Sequence, residues 1–202
     1  MGIASFSGAS SVIKPGVVTS STRPSSPFVG QLIYDTTVAQ TLSWNGSAWI
    51  GAAGKIGQVV SVDKLDTFTT TTNAYVDVTG WAATITPTSV TSKILVIYTA
   101  VTSGDTAYWV GFQIVRGSTA IGNGTATGVA TAANKVSRGS GNDGMPVTGI
   151  YLDSPATTSA TTYKMQIDRN ASSVLVGASY WGQNNIDNFS CQTNITLMEV
   201  LA

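Results

Sequence analysis

The sequence predicts an all-β protein built as a sandwich or barrel. Helical periodicity is almost absent along its 202 residues. Thr, Val, Ile and aromatic residues dominate the patterned segments, a composition that fits a pleated, half-buried surface. Gly, Pro, Asn, Asp and Ser punctuate those segments at short and even intervals, as expected of strands joined by turns.

A small-residue hinge, Gly51-Ala52-Ala53-Gly54, divides the chain into an N-terminal segment (1–52) and a larger domain (55–202). Residues 1–18 read as irregular, with Pro15-Gly16 as a turn. Arg23-Pro24-Ser25-Ser26-Pro27 is stiff and extended, because each proline fixes its own φ and restrains its predecessor. Residues 31–34 follow as a strand, 35–39 as a turn and 41–44 as a second strand. Asn45-Gly46 then predicts a tight hairpin with positive φ at both central residues, returning through Ala48-Trp49-Ile50. Three short strands are too few to be stable alone. The segment is therefore read as a docking element, with Arg23, Pro24, Pro27, Tyr34, Trp44 and Trp49 as its contact residues.

Beyond the hinge, strands are predicted near 56–62, 65–71, 74–79, 82–86, 93–101, 107–116, 146–153, 160–168, 173–179 and 192–201. Residues 123–144 form a long Gly/Asn/Thr/Ala-rich loop with room for one poor strand. In Ile94-Leu95-Val96-Ile97-Tyr98-Thr99-Ala100-Val101 both alternating sets are apolar, whereas a strand with one face in solvent alternates apolar with polar. The terminal run Ile195-Thr196-Leu197-Met198-Glu199-Val200-Leu201-Ala202 behaves alike and carries no polar tail. A sandwich core covers one face. The other calls for a neighbouring subunit, unless the chain end tucks into its own core. Leu95, Ile97, Ile195, Leu197, Met198 and Val200 are the predicted self-association residues.

Composition points the same way. Charged residues make up 10% of the chain, against about 25% in an average globular domain, and mean hydropathy is +0.18. Either hydroxyls keep the surface soluble or partner subunits cover much of it, as exposed apolar patches tend to mark interfaces. Ten basic residues balance ten acidic ones, which leaves no electrostatic grip on a nucleic acid or an anionic lipid. No stretch approaches the 18 apolar residues of a membrane span, and the N-terminus lacks the basic start and apolar run of a signal peptide. Met1-Gly2 resembles a myristoylation start, but Phe6 stands where Ser or Thr is required. Cys191 is the sole cysteine; it excludes an intrachain disulfide and reads as a small core residue.

With no histidine in the chain, the usual nucleophile–base pairs and His-centred metal sites are unavailable. Asp63, Asp66, Asp143 and Asp153 are dispersed, as turn chemistry distributes them, and form no glycosidase-like pair. Gly122-Asn123-Gly124 and Gly139-Ser140-Gly141-Asn142-Asp143-Gly144 lack the helix and lysine of a phosphate loop and the alternating acids of a calcium loop. No cofactor or metal is expected. In Tyr180-Trp181-Gly182-Gln183-Asn184-Asn185-Ile186-Asp187-Asn188, rings beside amides and an acid suit a sugar face. Tyr180, Trp181, Asn184, Asn185 and Asp187 are the candidate glycan contacts, although the same residue types also serve ordinary sheets and turns. Trp109 reads as core or interface.

Two stretches carry a resemblance. Thr22-Arg23-Pro24-Ser25-Ser26-Pro27-Phe28-Val29-Gly30-Gln31-Leu32-Ile33-Tyr34-Asp35-Thr36, followed by Leu42-Ser43-Trp44-Asn45-Gly46-Ser47-Ala48-Trp49, resembles a module of structural and fibre-like proteins of tailed phages. The second half is similar to virion and tail-fibre-like proteins of marine and cyanobacterial phages. Its marks include Ile85-Thr86-Pro87-Thr88-Ser89, Arg116-Gly117-Ser118-Thr119-Ala120-Ile121-Gly122 and Leu152-Asp153-Ser154-Pro155. The resemblance implies a jelly-roll head like the trimeric tumour-necrosis-factor and complement heads, with the C-terminal strand near a threefold axis. The resulting expectation is a non-enzymatic homotrimer on the virion surface, made in the bacterial host cytoplasm. It would be a short fibre docked on capsid or tail proteins through residues 1–52 and touching host-surface polysaccharide. The alternatives are a capsid-decorating protein without receptor role and a polysaccharide-degrading tailspike.

Overall fold

The computed structural model describes residues 15–51, 55–104, 108–125, 131–138, 144–169, 173–177 and 190–201, and among these it contains strands and no helix. The chain divides into two compact units, Met1–Gly54 and Lys55–Ala202.

Unit 1 holds β1 (Gly16–Val18), β2 (Leu32–Asp35), β3 (Gln40–Trp44) and β4 (Trp49–Gly51), paired in that order. β1 runs parallel to β2, with Val17 beside Tyr34, so the expected irregular stretch up to residue 18 ends in a strand. Three residues are too few to show alternation, and their partner lies across a long connection. Asp35 is fully buried and gathers that connection: it accepts bonds from Arg23 Nε at 2.6 Å, Ser20 Oγ at 3.0 Å and Thr37 N at 2.8 Å. The hairpin between β3 and β4 also departs from expectation. Gly46 alone in that loop has positive φ, at 103°. The Asn45 side-chain oxygen accepts from Ser47 N and Ala48 N at 2.9 and 2.8 Å. The carboxamide closes the turn, which relieves the Asn45 backbone of a left-handed conformation.

Unit 2 contains β5 (Ile56–Lys64), β6 (Phe68–Thr70), β7 (Val76–Ile85), β8 (Lys93–Gly104), β9 (Tyr108–Arg116), β10 (Thr119–Ile121), β11 (Asn134–Arg138), β12 (Met145–Asp153), β13 (Thr161–Arg169), β14 (Val174–Val176) and β15 (Thr193–Val200). β5 and β6 run on as one interrupted strand, as do β14 and β15, while β10 and β11 share one edge of β9. Eight strand positions result, counted in chain order. The first sheet reads 1-8-3-6 (β5/β6, β14/β15, β8, β12) and the second 5-4-7-2 (β10/β11, β9, β13, β7). Position 1 pairs with 8, 2 with 7, 3 with 6 and 4 with 5, all antiparallel. A long hairpin wound upon itself in this way is the jelly roll. The expected strands 74–79 and 82–86 are a single β7 with an irregularity, and β11 lies within the expected loop 123–144.

That irregularity builds the core. From Asp77 to Ala82 β7 advances five residues while β13 advances two, from Gln166 to Lys164. Gly80, at φ +81°, takes up the turn that an L side chain rarely adopts. Val78 and Trp81 consequently both point inward and are buried. The Trp81 ring meets Tyr98 of the first sheet and Phe112 of the second in edge-on contacts, at centroid distances of 6.0 and 6.3 Å. Its indole N–H donates to the Asn194 carbonyl of β15 at 2.8 Å, so the ring buries without an unpaired polar atom.

A second tie joins the sheets through charge. Asp153 on β12 accepts from Tyr163 OH at 2.7 Å and from Arg116 Nη1 at 2.9 and 2.8 Å. Burial, reinforced by the bond to Asp153, pushes the Tyr163 phenol far above its usual range. Removing one partner of such a group leaves an uncompensated buried charge.

Gly149 lies opposite Tyr98 in the β8–β12 pair, and a Cβ there would fall 2.2 Å from the Tyr98 ring. We expect Gly149→Ala to cost roughly 1–3 kcal/mol or more of head stability, the range for overpacking a tight core. Chemical denaturation should show a smaller loss for the same change in a Tyr98→Leu background. Equal losses in both backgrounds would refute the ring contact as the cause.

Candidate assembly surfaces

The two sheets present opposite chemistry outward. On the second sheet, Lys164 Nζ and Gln166 Nε2 donate to Asp77 at 2.7 Å each. Gln113 Nε2 donates to Gln166 at 3.1 Å, and Asn123 Nδ2 to Gln113 at 3.0 Å. Thr84 and Thr162 pair alongside at 2.7 Å. This hydrogen-bonded ladder crosses the strands and is suited to water.

On the first sheet the outward residues form rows set by register. Val59, Met198, Leu95 and Leu152 stand side by side across β5, β15, β8 and β12. The next row is Ser61, Thr196, Ile97 and Ile150, and the third is Asp63, Asn194, Thr99 and Thr148. Ile56 and Val200 extend the apolar end, and the exposed Lys93 of β8 closes their row. Ile56, Val59, Ile150 and Leu152 are exposed, Ile150 at 67%, while Leu95, Ile97, Met198 and Val200 are half-buried. A contiguous face of eight large apolar side chains is uncommon on a solitary domain. The third row is polar and internally satisfied: Asn194 Nδ2 donates to Asp63 and to Ser61 Oγ, and Thr196 Oγ1 donates to Asn194 Oδ1.

A bulge sets this arrangement. β5 advances three residues from Ile56 to Val59 while β15 advances two from Val200 to Met198, so the extra residue returns Ile56 to the outer side. Opposite it sits Glu199, fully buried and pointing inward. Its carboxylate accepts from Gln58 Nε2 at 3.0 Å, Thr88 N at 2.6 Å and Thr88 Oγ1 at 2.7 Å. A Cβ on Gly57 would lie 2.9 Å from Glu199 Oε2, which is why the smallest residue stands there.

The expected self-association residues therefore divide. Leu95, Ile97, Met198 and Val200 lie on the outer face. Ile195 and Leu197 point into the core of their own subunit with no exposed surface, and the expectation for these two is corrected. Parity misleads there, because Glu199 shares the inward side with both.

The docking candidates divide as well. Arg23 is bound to Asp35, and Pro24 and Pro27 are half-buried beside it. Trp44 and Trp49 pack on one another at 5.5 Å on the side that carries buried Ile33 and Leu42. These residues serve unit 1 itself. Tyr34, 37% exposed, faces the other way, with Val17, Leu32 and Ile50 exposed on the same face. Those three apolar neighbours escaped the sequence reading, since strand pairing rather than spacing brings them together.

Tyr180, Trp181, Asn184, Asn185, Asp187 and Asp143 lie outside the described residues. Of the other singled-out acids, Asp66 pairs with Lys64 at 2.8 Å, Asp63 with Asn194 and Asp153 with Arg116. Cys191 is half-buried rather than core. Trp109 faces outward, half-buried, with Lys135 Nζ 5.2 Å from its ring centre. Among the described residues there is no cluster of three or more His, Cys, Asp or Glu.

No family model and no curated protein matches the chain. Among solved structures it is similar to a chain of the infectious bursal disease virus Gx strain, with 14% identity and a TM-score of 0.37. The match covers 79% of this chain and 46% of that one, so the present chain spans less than half of its length.

Two buried carboxylates give the fold an acid limit. Burial pushes Glu199 up, but the bonds from Gln58 and Thr88 together outweigh it and hold the group below its ordinary 4.5. Asp35 behaves likewise: burial raises it, and Arg23, Thr37, Ser20 and Val38 bring it below 3.8. A depressed folded value means stability that is present above the unfolded value and lost as pH falls through the folded one. Melting temperature should therefore hold steady from neutral pH to about 5 and fall below it. Glu199→Gln, which sets an amide N–H against donors, should lower the neutral melting point of unit 2 and flatten its acid limb. An unchanged acid limb in that variant would assign the loss elsewhere.

Proposed function

We propose that the chain is a structural component of a virus particle, without catalytic role, assembled as a trimer and displayed as a short fibre-like head. The observation that carries this reading is the unequal chemistry of the two outer faces. One is a hydrogen-bonded polar ladder suited to solvent. The other is an apolar face, ordered in register across four strands, of the kind that a partner subunit covers.

The particle is supplied by a different argument. Fold alone does not assign function, but residues 22–49 and the motifs of the second half resemble structural and fibre-like proteins of tailed phages. In this reading unit 1 attaches the protein to capsid or tail, and residues 180–188 touch host-surface glycan. Capsid decoration without receptor contact is the second reading, and copy number per particle separates the two. The eight apolar side chains imply an association driven by apolar burial, with Lys93 and Asp63 as the charges at its two ends.

The purified full-length chain should be trimeric by light scattering. Ile150→Lys, at the most exposed position of the face, should convert it to smaller species without lowering the melting temperature. A wild-type chain that stays monomeric at every concentration overturns the assembly reading. A chain lacking residues 1–50 should fail to enter particles, and its co-purification with virions would sink the attachment claim.

A further inference from the structure

Unit 1 presents a second apolar face whose chemistry differs from that of the head. Leu32, Ser43 and Ile50 form one row across β2, β3 and β4, and Val17, Tyr34 and Thr41 form another across β1, β2 and β3. Val17, Leu32, Tyr34 and Ile50 are all exposed. The short hydroxyl side chains Thr41 and Ser43 stand on β3 between the Leu32–Tyr34 ridge and Ile50. The face thus offers a ridge and, beside it, a shallow trough of the same length.

Its electrostatics are as informative as its shape. Residues 15–51 contain two charged side chains, Arg23 and Asp35, and these bond to each other with Asp35 fully buried. The described part of unit 1 therefore carries no unpaired charge. A surface of this kind has nothing with which to attract a nucleic acid or an anionic headgroup. It also has nothing to repel its own copy, whereas a charged face meeting itself places like charges together. A four-stranded sheet with strands of three to five residues is moreover too small to leave one apolar face wet at little cost.

We infer that this face is covered by unit 1 of another copy of the same chain, the Leu32–Tyr34 ridge of one copy seated against the Thr41–Ser43 trough of the next. The inference rests on the proposed trimer in one respect: association of the heads supplies the high effective concentration at which so small a face suffices. It alters the picture of unit 1 from a free attachment tag to a second self-association surface. Attachment is then left to other surfaces, such as the exposed Phe28 and Val29.

The test uses the full-length chain. Hydroxyl-radical labelling of Leu32, Tyr34 and Ile50 should fall several-fold in the oligomer relative to the same protein diluted until it sediments as a monomer. Equal labelling in the two states overturns the inference, because the face would then be open and awaiting a different partner. The double variant Leu32→Lys/Tyr34→Lys should raise the concentration needed for association at least several-fold while leaving the melting of the head unchanged. Wild-type association by that variant also overturns it and leaves the head interface untouched. Ile150→Lys makes the two readings separable. Residual, concentration-dependent protection of Leu32 and Tyr34 in that variant supports the unit 1 contact even where the heads no longer associate. Protection lost by adding phosphatidylcholine vesicles, with the vesicles binding the chain, would mean a lipid competes for the face and would count against a protein occupant.

Discussion

The head depends on one side chain that belongs to both sheets. Trp81 touches Tyr98 on one side and Phe112 on the other and fastens its N–H to the backbone of β15. Burial of so large a ring drives the sheets together, while the hydrogen bond fixes their relative register, since it can form only where the Asn194 carbonyl lies. The excursion of β7 around Gly80 exists to deliver that ring. At the C-terminal end of β12 the Asp153, Arg116 and Tyr163 group repeats the tie in polar form.

With the inward faces so committed, the outward faces are free to differ. The same carbonyl that receives the Trp81 N–H belongs to a residue whose side chain holds Asp63 and Ser61 on the outer surface. Core and outer surface therefore meet at Asn194, and the polar third row is tied to the position of the ring beneath it. Glu199 does comparable work farther along β15, holding the bulge that turns Ile56 outward.

Much of this was legible in the residues. The two-sided apolar runs at 93–101 and 192–201 correspond to β8 and β15, and the Gly51–Gly54 stretch coincides with the boundary between the units. What escaped has physical causes. Gly80 makes one strand look like two, because a glycine inside a strand reads as a break. β1 is held by a partner in β2 across a long connection, which no local pattern records. In 195–201 each alternating set holds one polar residue, Thr196 or Glu199, so the pattern does not tell the core side from the outer one. The hydrogen bonds from Gln58 and Thr88 that hold Glu199 inward come from residues far away in sequence. The apolar face of unit 1 was hidden for the same reason, while the tryptophan pair lies on the opposite face of the same sheet.

The Trp44–Trp49 pair has a use apart from packing. Its rings lie 5.5 Å apart and inclined by 58°, close enough and skewed enough for their electronic transitions to couple and give a paired-sign band in circular dichroism. Trp81 is instead fully buried and edge-on to two rings of different type. The coupled band exists only while the two rings are held together, so it reports the melting of the small sheet itself.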